Sequence, residues 1–424
     1  VYMETGHTLT MVGGRGRAGQ YIHASGDVHI GGSNAGPVAI TASEALVVQA
    51  DGDISIGAVG GELDVTANNN VDVEAGGTLT NRAKFDVGGS LRFAGGDVHN
   101  AGDVSTEQGI TMQALTGELQ IDGVLDTVMD INLASASTLT NDVSMTSEQG
   151  SIRLESYQSD VVSLASLSAA DLVLLQADNG AVFSMADVQA TDVTISAGSG
   201  VEISGNVEAA SSFNAIASVG DIAVSGDTIE GDTLSLKALA GSIEATNSFV
   251  GQSVDIAAAN NLTITGDVTA STSALTGAGG DVTLTAGTGP LVVTGDLAGT
   301  AILLTSTTGE IDATGNMTAT TIGFDAGTDL TLAGDITSVD TLTLNATDAV
   351  NYSGNATSQG DVILTGQSIT MHSGSLNGTA VEVTSPGAVV LAGEINTAGD
   401  LKVTSTSGTV ALDVAAAIDG DILV

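Results

Sequence analysis

The chain alternates apolar and polar residues in short, regularly spaced runs. From about Thr233 onward, two aliphatic or aromatic residues separated by one residue recur, and the pairs repeat about every 20 residues almost throughout. These pairs are Leu234/Leu236, Val254/Ile256, Val282/Leu284, Ile302/Leu304, Ile322/Phe324, Leu342/Leu344, Val362/Leu364, Val381/Val383 and Leu401/Val403. Alternation with a period of two places both members of a pair on one side of an extended chain, so the pattern predicts short β-strands.

A second apolar pair and a glycine complete many of these repeats. The second pair follows a short polar stretch after the first, as at Leu262/Ile264 and Leu330/Leu332. A glycine followed by Asp, Asn, Glu or Ser then closes the repeat, at Gly295, Gly315, Gly334, Gly354, Gly374 and Gly393. We interpret these glycines as structural turn residues that adopt positive φ, beside Asp or Asn side chains that hydrogen-bond the turn backbone.

Strands this short can bury their apolar side chains only if successive repeats stack on one another. Stacked coils place equivalent Val, Leu and Ile side chains above each other and hydrogen-bond along the stack at a strand spacing of about 4.8 Å. The sequence therefore predicts an all-β fold, a right-handed parallel β-helix with about 20 residues per coil. Dividing the length of 424 residues by this repeat gives about 21 coils and a rod on the order of 100 Å long.

The pattern predicts one continuous β-helix over 1–424, with irregular coils over 1–232 and regular coils of roughly 19–20 residues over 233–424. A loop insertion is expected near 271–280, where the sequence STSALTGAGG lengthens one coil. The last residues, Asp421 to Val424, resemble the first strand of another coil. From this we expect the chain to be an excerpt of a longer rod, or its ends to be covered by another copy or a partner.

Composition indicates the kind of core and excludes some kinds of partner and covalent link. Hydrophobic residues make up 42% of the chain and aromatic residues only 2%, which indicates a narrow aliphatic core. The 50 acidic and 8 basic residues give a formal net charge of −42, so nucleic acid is not an expected partner. No apolar run reaches the length of a membrane-spanning helix, and the absence of cysteine excludes disulfides.

The repeat phrases resemble those of one family of exported proteins. Gly52-Asp53-Ile54-Ser55-Ile56, the run from Asp281 to Gly287 and the run from Leu401 to Ser405 are similar to the repeats of filamentous-haemagglutinin-like exoproteins and giant bacterial adhesins. The resemblance covers nearly the whole chain. It implies a right-handed parallel β-helix that is secreted across an outer membrane and displayed as an adhesive stalk. We therefore expect an extracellular, cell-surface location, with any signal peptide already removed or outside this chain.

Calcium is the one metal for which the sequence offers candidates, and no other cofactor is expected. Asp97, Asp281, Asp296 and Asp335 lie beside glycines, and hard cations take oxygen ligands. The alternative is that these side chains serve only the turns, as Asp and Asn often do. His7, His23, His29 and His99 fall within the first hundred residues, but their spacing matches no standard ligand pattern, so we interpret them as solvated.

Catalysis is not expected. Glycoside hydrolysis needs two carboxylates at a suitable distance, which stacked Asp residues could supply. Beyond Asn100, however, the only bases are Arg153, Lys237 and Lys402, and His372 is the only histidine.

The leading hypothesis is a rigid adhesive stalk that binds a cell surface, a glycan or a matrix. The alternatives are a subunit that associates end to end in a filament, sheath or surface layer, and, less favoured, a β-helical polysaccharide lyase or hydrolase.

Overall fold

A computed structural model describes residues 2–5, 9–11, 14–16, 20–31, 38–57, 63–271 and 280–424. The chain divides into two compact units, Val1–Ala210 and Ser211–Val424. In each unit parallel strands stack into a β-solenoid with roughly 20 residues per turn, and the described residues contain no helix. The predicted all-β parallel solenoid is therefore confirmed. The turns number about 18 over the two units, fewer than the predicted count of about 21, and some of the turns are long.

Two pairings identify such long turns. In the first unit, the register partner of Ile22 is Val48. In the second unit, the register partner of Ile256 is Leu284. The predicted loop insertion accounts for the second of these long turns, but its residues 272–279 lie outside the described part of the chain. Between Val71 and Ala197, in contrast, successive partners keep close to the typical turn of roughly 20 residues.

Three strand series run through the first unit. The first series comprises Tyr2–Thr5, Gln20–Ala24, Leu46–Ala50, Val71–Ala75, Ser90–Gly95, Gly109–Ala114, Asp130–Ser135, Ile152–Ser156, Leu172–Ala177 and Val188–Ala197. The second comprises Leu9–Met11, Val28–Ile30, Ile54–Ile56, Leu79–Asn81, Val98–Asn100, Leu119–Ile121, Leu139–Asn141, Val161–Ser163, Val182–Ser184 and Val201–Ile203. The third comprises Gly14–Gly16, Val38–Ala42, Leu63–Ala67, Lys84–Val87, Val104–Thr106, Leu125–Thr127, Met145–Ser147 and Leu167–Ala169, and the start of Val188–Ala197 continues it.

The second unit is also built from stacked parallel series. Its first series comprises Thr228–Ala238, Ser248–Ala258, Asp281–Ala286, Ala301–Ser306, Thr321–Ala326, Leu342–Ala346, Val362–Thr365, Val381–Ser385, Leu401–Ser405 and Ile422–Leu423. Its second comprises Ile222–Val224, Ile243–Ala245, Leu262–Ile264, Leu291–Val293, Ile311–Ala313, Leu330–Ala333, Ala349–Ser358, Ser368–Gly378, Val389–Thr397 and Val410–Ile418. Shorter third-series strands are Val268–Ala270, Leu297–Ala298, Met317–Ala319 and Ile336–Ser338, and one strand, Val207–Ala217, contains the boundary between the units.

Alternation of buried and outward residues along most strands builds the core of each unit. In Ile152–Ser156 the first, third and fifth residues are buried and the two between them face outward. The predicted pairs Val282/Leu284 and Ile302/Leu304 are buried and stack in register. Burying one such side chain contributes roughly 1.5 to 3 kcal/mol, so the repeated pattern fixes the register of the strands that carry it. Aromatic rings are rare, and Phe85 and Phe93 meet edge to face with centroids 5.3 Å apart.

Candidate functional site

Turn carboxylates form a ladder that joins successive coils. In the first unit, Oδ1 of Asp97 accepts a hydrogen bond from the backbone N–H of Glu118 at 2.9 Å. In the second unit, Asp296 accepts the N–H of Asn316 at 2.8 Å, and Asp335 accepts the N–H of Asn355 at 3.1 Å. Each bond satisfies a turn N–H of the following coil. Three of the four calcium candidates therefore hold the turn backbone.

The fourth calcium candidate has a different position. Asp281 is exposed at the start of the strand Asp281–Ala286, where its backbone pairs with Ala301. Asp97 lies in the first unit, whereas Asp281, Asp296 and Asp335 lie in the second, at different steps of the stack. Among the residues that the structure describes, no group of three or more His, Asp or Glu side chains could hold a metal ion.

The six predicted turn glycines share one steric requirement. A Cβ on Gly315 would lie 1.9 Å from the carbonyl oxygen of Gly295, and a Cβ on Gly374 would lie 1.7 Å from that of Gly354. The other four, Gly295, Gly334, Gly354 and Gly393, are confined in the same way, by a glycine oxygen of the preceding coil at 2.0 to 2.4 Å. The backbone of one coil thus occupies the space that a side chain on the next would need.

Positive φ explains why glycine is required at only three of these six positions. Gly354, Gly374 and Gly393 have φ of +146°, +94° and +119°, whereas Gly295, Gly315 and Gly334 are not among the described residues with positive φ. The first three also lie inside the long strands Ala349–Ser358, Ser368–Gly378 and Val389–Thr397, and the other three lie in bends between strands. Close approach of neighbouring coils, which the sequence did not predict, is therefore the property common to all six.

A buried amide ladder fixes one corner of the first unit. Asn81 Nδ2 donates to Asn100 Oδ1 at 2.7 Å, and Asn81 Oδ1 accepts the N–H of Ala83 at 2.9 Å. Asn100 Nδ2 in turn donates to the carbonyl oxygen of Gly102 at 2.8 Å. Both asparagine side chains are fully buried, so these bonds satisfy groups that would otherwise be costly to remove from water.

Several of the described basic residues have acidic partners. Arg92 lies 2.9 Å from Asp72, Lys237 lies 3.0 Å from Asp255 and Lys402 lies 2.6 Å from Glu382. His99 Nε2 lies 2.7 Å from Asp122 Oδ2. Arg82, Lys84 and Arg153 make no ion pair with any described residue.

The remaining histidines are dispersed. His23 is half-buried beside its register partner Gln49, and His29 and His372 are exposed. His7 lies outside the residues whose side chains are described. The described histidines therefore do not converge on one site.

Open clefts in the first unit form the candidate binding surface. One cleft of about 450 Å³ is lined by His23, Gln49, Glu74, Leu115 and Thr116, among others. It forms where Gly76 and Gly96 leave the turns of two coils without side chains. A second cleft of about 450 Å³ shares Thr116 with the first and includes His99 and Gln120.

A smaller cleft lies on the first strand series. It has a volume of about 170 Å³ and is lined by outward side chains of three consecutive coils, among them Gln113, Asn132, Arg153 and Glu155. Amide, guanidinium and carboxylate groups alternate with small residues over this surface, so it can both donate and accept hydrogen bonds. We call these three clefts, together, the candidate binding surface of the first unit.

Sequence reasoning missed two residues at or beside this surface. Tyr157 is 45% exposed and Leu115 is 50% exposed, and each follows directly after a first-series strand. Tyr157 is the only aromatic residue in the exposed class within the part of the chain whose side chains are described. The alternation Arg153, Glu155, Tyr157 along one strand and its turn could have indicated an outward-facing row.

Comparison with known proteins adds no relative: no protein-family model, no curated protein and no solved structure matches the chain. The resemblance to filamentous-haemagglutinin-like exoproteins therefore stays a prediction from the repeat pattern. Within the described residues, no helix is long and apolar enough to cross a membrane.

Proposed function

We propose that this chain is an exported attachment protein, a non-catalytic β-solenoid that binds a cell surface, a glycan or a matrix at the outer face of the bacterial cell. The observation that carries the proposal is the fixed register of outward side chains in each unit. In the first unit, Asp72, Arg92 and Thr111 face outward from consecutive coils at one position of the strand. Such a ladder presents polar groups at about 4.8 Å intervals on a rigid backbone.

This arrangement suits adhesion better than turnover. Repeated shallow contacts on a rigid scaffold give strong attachment through multivalency, even where each contact is weak. The clefts of the candidate binding surface are open, and their polar residues come from several coils. The acidic surface, with a net charge of −42, keeps the apolar-rich chain dispersed in water. The similarity of the repeats to those of bacterial adhesins adds support.

Binding to immobilised surfaces tests this function. Purified chain is added to plates coated with cells, extracellular matrix or mixed glycans, once with calcium and once with a chelator. Saturable binding to at least one surface supports the attachment function, and the chelator arm shows whether calcium contributes. Absence of binding to every surface in both conditions would remove the adhesive assignment.

Electron microscopy of the same sample tests the alternative from another class. Separate particles are expected for an attachment protein. Indefinite fibres together with negative plates would instead favour a subunit of a filament, sheath or surface layer.

A further inference from the structure

Three consecutive first-series strands of the first unit form a groove. Its floor is the outward row Asn132, Ala134 and Ala136. One wall is Thr111, Gln113 and Leu115 on the preceding coil, and the other is Arg153, Glu155 and Tyr157 on the following coil. Because the floor carries two alanines between rows of longer side chains, the surface forms a depression that runs parallel to the strands. We call this feature the Ala134 groove.

The dimensions of the Ala134 groove follow from strand spacing. Its two walls are two strands apart, which corresponds to about 10 Å between their backbones. The cleft of about 170 Å³ lies between Thr111 and Gln113 on one side and Arg153 and Glu155 on the other. Leu115 and Tyr157 extend the walls beyond this cleft and are both about half exposed.

Hydrogen bonds fix the backbone at the wall residue Tyr157. The buried hydroxyl of Ser156 accepts the N–H of Ser159 at 3.3 Å and lies 2.9 Å from the Ser159 carbonyl oxygen. Asn179 Nδ2 donates to the carbonyl oxygen of Tyr157 at 2.6 Å. The floor turn is fixed in the same way, since Ser135 Oγ accepts the N–H of Ser137 at 3.2 Å. Fixed backbone at both places means that a ligand need not order these turns on binding.

The chemistry of the groove matches a hydroxylated ligand. Arg153 has no ion-pair partner among the described residues and presents only donors, whereas the Glu155 carboxylate presents only acceptors. The amides of Gln113 and Asn132 supply both. Tyr157 and Leu115 offer apolar surface on opposite walls, as the faces of a sugar ring require.

The charges of the groove and of the whole chain favour a neutral sugar over an acidic one. Arg153 and Glu155 carry opposite charges on one wall, so the groove itself is close to neutral. The chain as a whole carries −42 and repels anions. We propose that the Ala134 groove binds a neutral oligosaccharide, lying along the strand direction between Leu115 and Tyr157. This inference rests on the proposed attachment function and names the class of ligand that the first unit recognises.

The direct test is titration calorimetry with defined hexasaccharides. The probes are neutral gluco-, galacto- and manno-hexasaccharides and a uronic acid hexasaccharide. The wild-type chain is expected to bind at least one neutral probe, and Tyr157→Ala is expected to weaken that binding roughly tenfold or more, as loss of an aromatic anchor does. Ala134→Phe, which fills the floor without removing a polar group, is expected to abolish it. Thermal melting checks that both variants are folded.

Two control variants match these changes. Leu164→Ala shortens another half-exposed apolar residue of the first unit, and Ala257→Phe enlarges an outward alanine of a first-series strand in the second unit. Both are expected to bind as the wild type does. Neutral-sugar binding that survives Tyr157→Ala and Ala134→Phe would overturn the groove assignment, and binding of the uronic probe alone would overturn the choice of a neutral ligand.

The outcome of the plate assay separates this inference from the attachment function. If the wild type adheres to a surface and Ala134→Phe adheres equally well, the groove is not the site, while the attachment function stands. If the wild type adheres to no surface and binds no hexasaccharide, both proposals fail.

Discussion

The carbonyl oxygen of Gly354 occupies the position that a Cβ on Gly374 would take, at a separation of 1.7 Å. Gly374 also has a φ of +94°, which L side chains rarely adopt. We therefore predict that Gly374→Ala lowers the free energy of unfolding by about 3 kcal/mol or more, because both the steric clash and the backbone conformation oppose the methyl group. Urea unfolding followed by circular dichroism measures the change.

Gly323 provides the matched control. It lies within the strand Thr321–Ala326, and the nearest atom to an added Cβ is Leu303 Cδ1 at an ordinary 3.5 Å. Gly323→Ala is expected to leave the stability unchanged or to raise it by up to about 1 kcal/mol, because alanine restricts the unfolded chain. Equal losses in the two variants would show that close approach of the coils is not what selects glycine.

Replacing turn aspartates by asparagine tests their role. The triple variant Asp97→Asn, Asp296→Asn and Asp335→Asn keeps an oxygen that can accept each turn N–H, as Asn316 Oδ1 already does for the N–H of Asp335 at 3.1 Å. We predict a melting temperature close to that of the wild type, with the same response to added calcium. The corresponding triple alanine variant is expected to lose about 1 kcal/mol per bond. A calcium-dependent rise in melting temperature that is present in the wild type and absent from the asparagine variant would instead assign these residues to cation binding.

The buried pair Asn81 and Asn100 gives a prediction for the first unit. Asn100→Ala leaves the Gly102 carbonyl oxygen without its amide donor and removes the acceptor of one Asn81 N–H. Because these groups stay buried, the expected cost is about 2 to 3 kcal/mol. Asn345→Ala removes an exposed hydrogen bond to Asp325 and is expected to cost less than about 0.5 kcal/mol. Thermal unfolding measures the stability that each variant loses. Equal losses would contradict the expectation that buried hydrogen bonds are more costly to remove than exposed ones.

Ionisation of the Tyr352 hydroxyl makes the stability of the folded state depend on pH in the alkaline range. Burial raises the pKa of its hydroxyl above the usual value of 10.0, and the charge of Asp335 acts in the same direction. The folded state therefore retains this proton where the unfolded state loses it. Its contribution to stability is complete below about pH 10 and is lost as the pH rises further. Tyr352→Phe is expected to flatten this part of the pH profile relative to the wild type, and parallel profiles would contradict the assignment.

The core could be read from the sequence because its pattern is local. The alternation in Val282/Leu284 and Ile302/Leu304 placed these side chains inside, and both pairs are buried in register. Why glycine is required at these positions could not be predicted from the sequence, because the clash at Gly374 is with the carbonyl oxygen of Gly354 in the preceding coil. Positive φ is a local property, whereas close approach of two coils is not.

The Ala134 groove could not be predicted for the same reason. It depends on which residues of three coils lie side by side, and the partner of Ala134 is Gln113 on one side and Glu155 on the other. The alignment of outward side chains on neighbouring coils is set only once each inward pair is placed in register. The alternation Arg153, Glu155, Tyr157 could have indicated that Tyr157 is exposed, but not which residues of the neighbouring coils lie beside it.

Attachment under flow measures adhesion by the chain and the role of the Ala134 groove in one experiment. Beads coated with equal densities of the wild-type chain or of the Ala134→Phe variant are passed over cell, matrix and neutral-glycan surfaces, and the retained fraction is measured against uncoated beads. We expect wild-type beads to be retained on at least one surface, free neutral hexasaccharide to release them, and variant beads to be retained less. Retention of wild-type beads no greater than that of uncoated beads on every surface would contradict the attachment function.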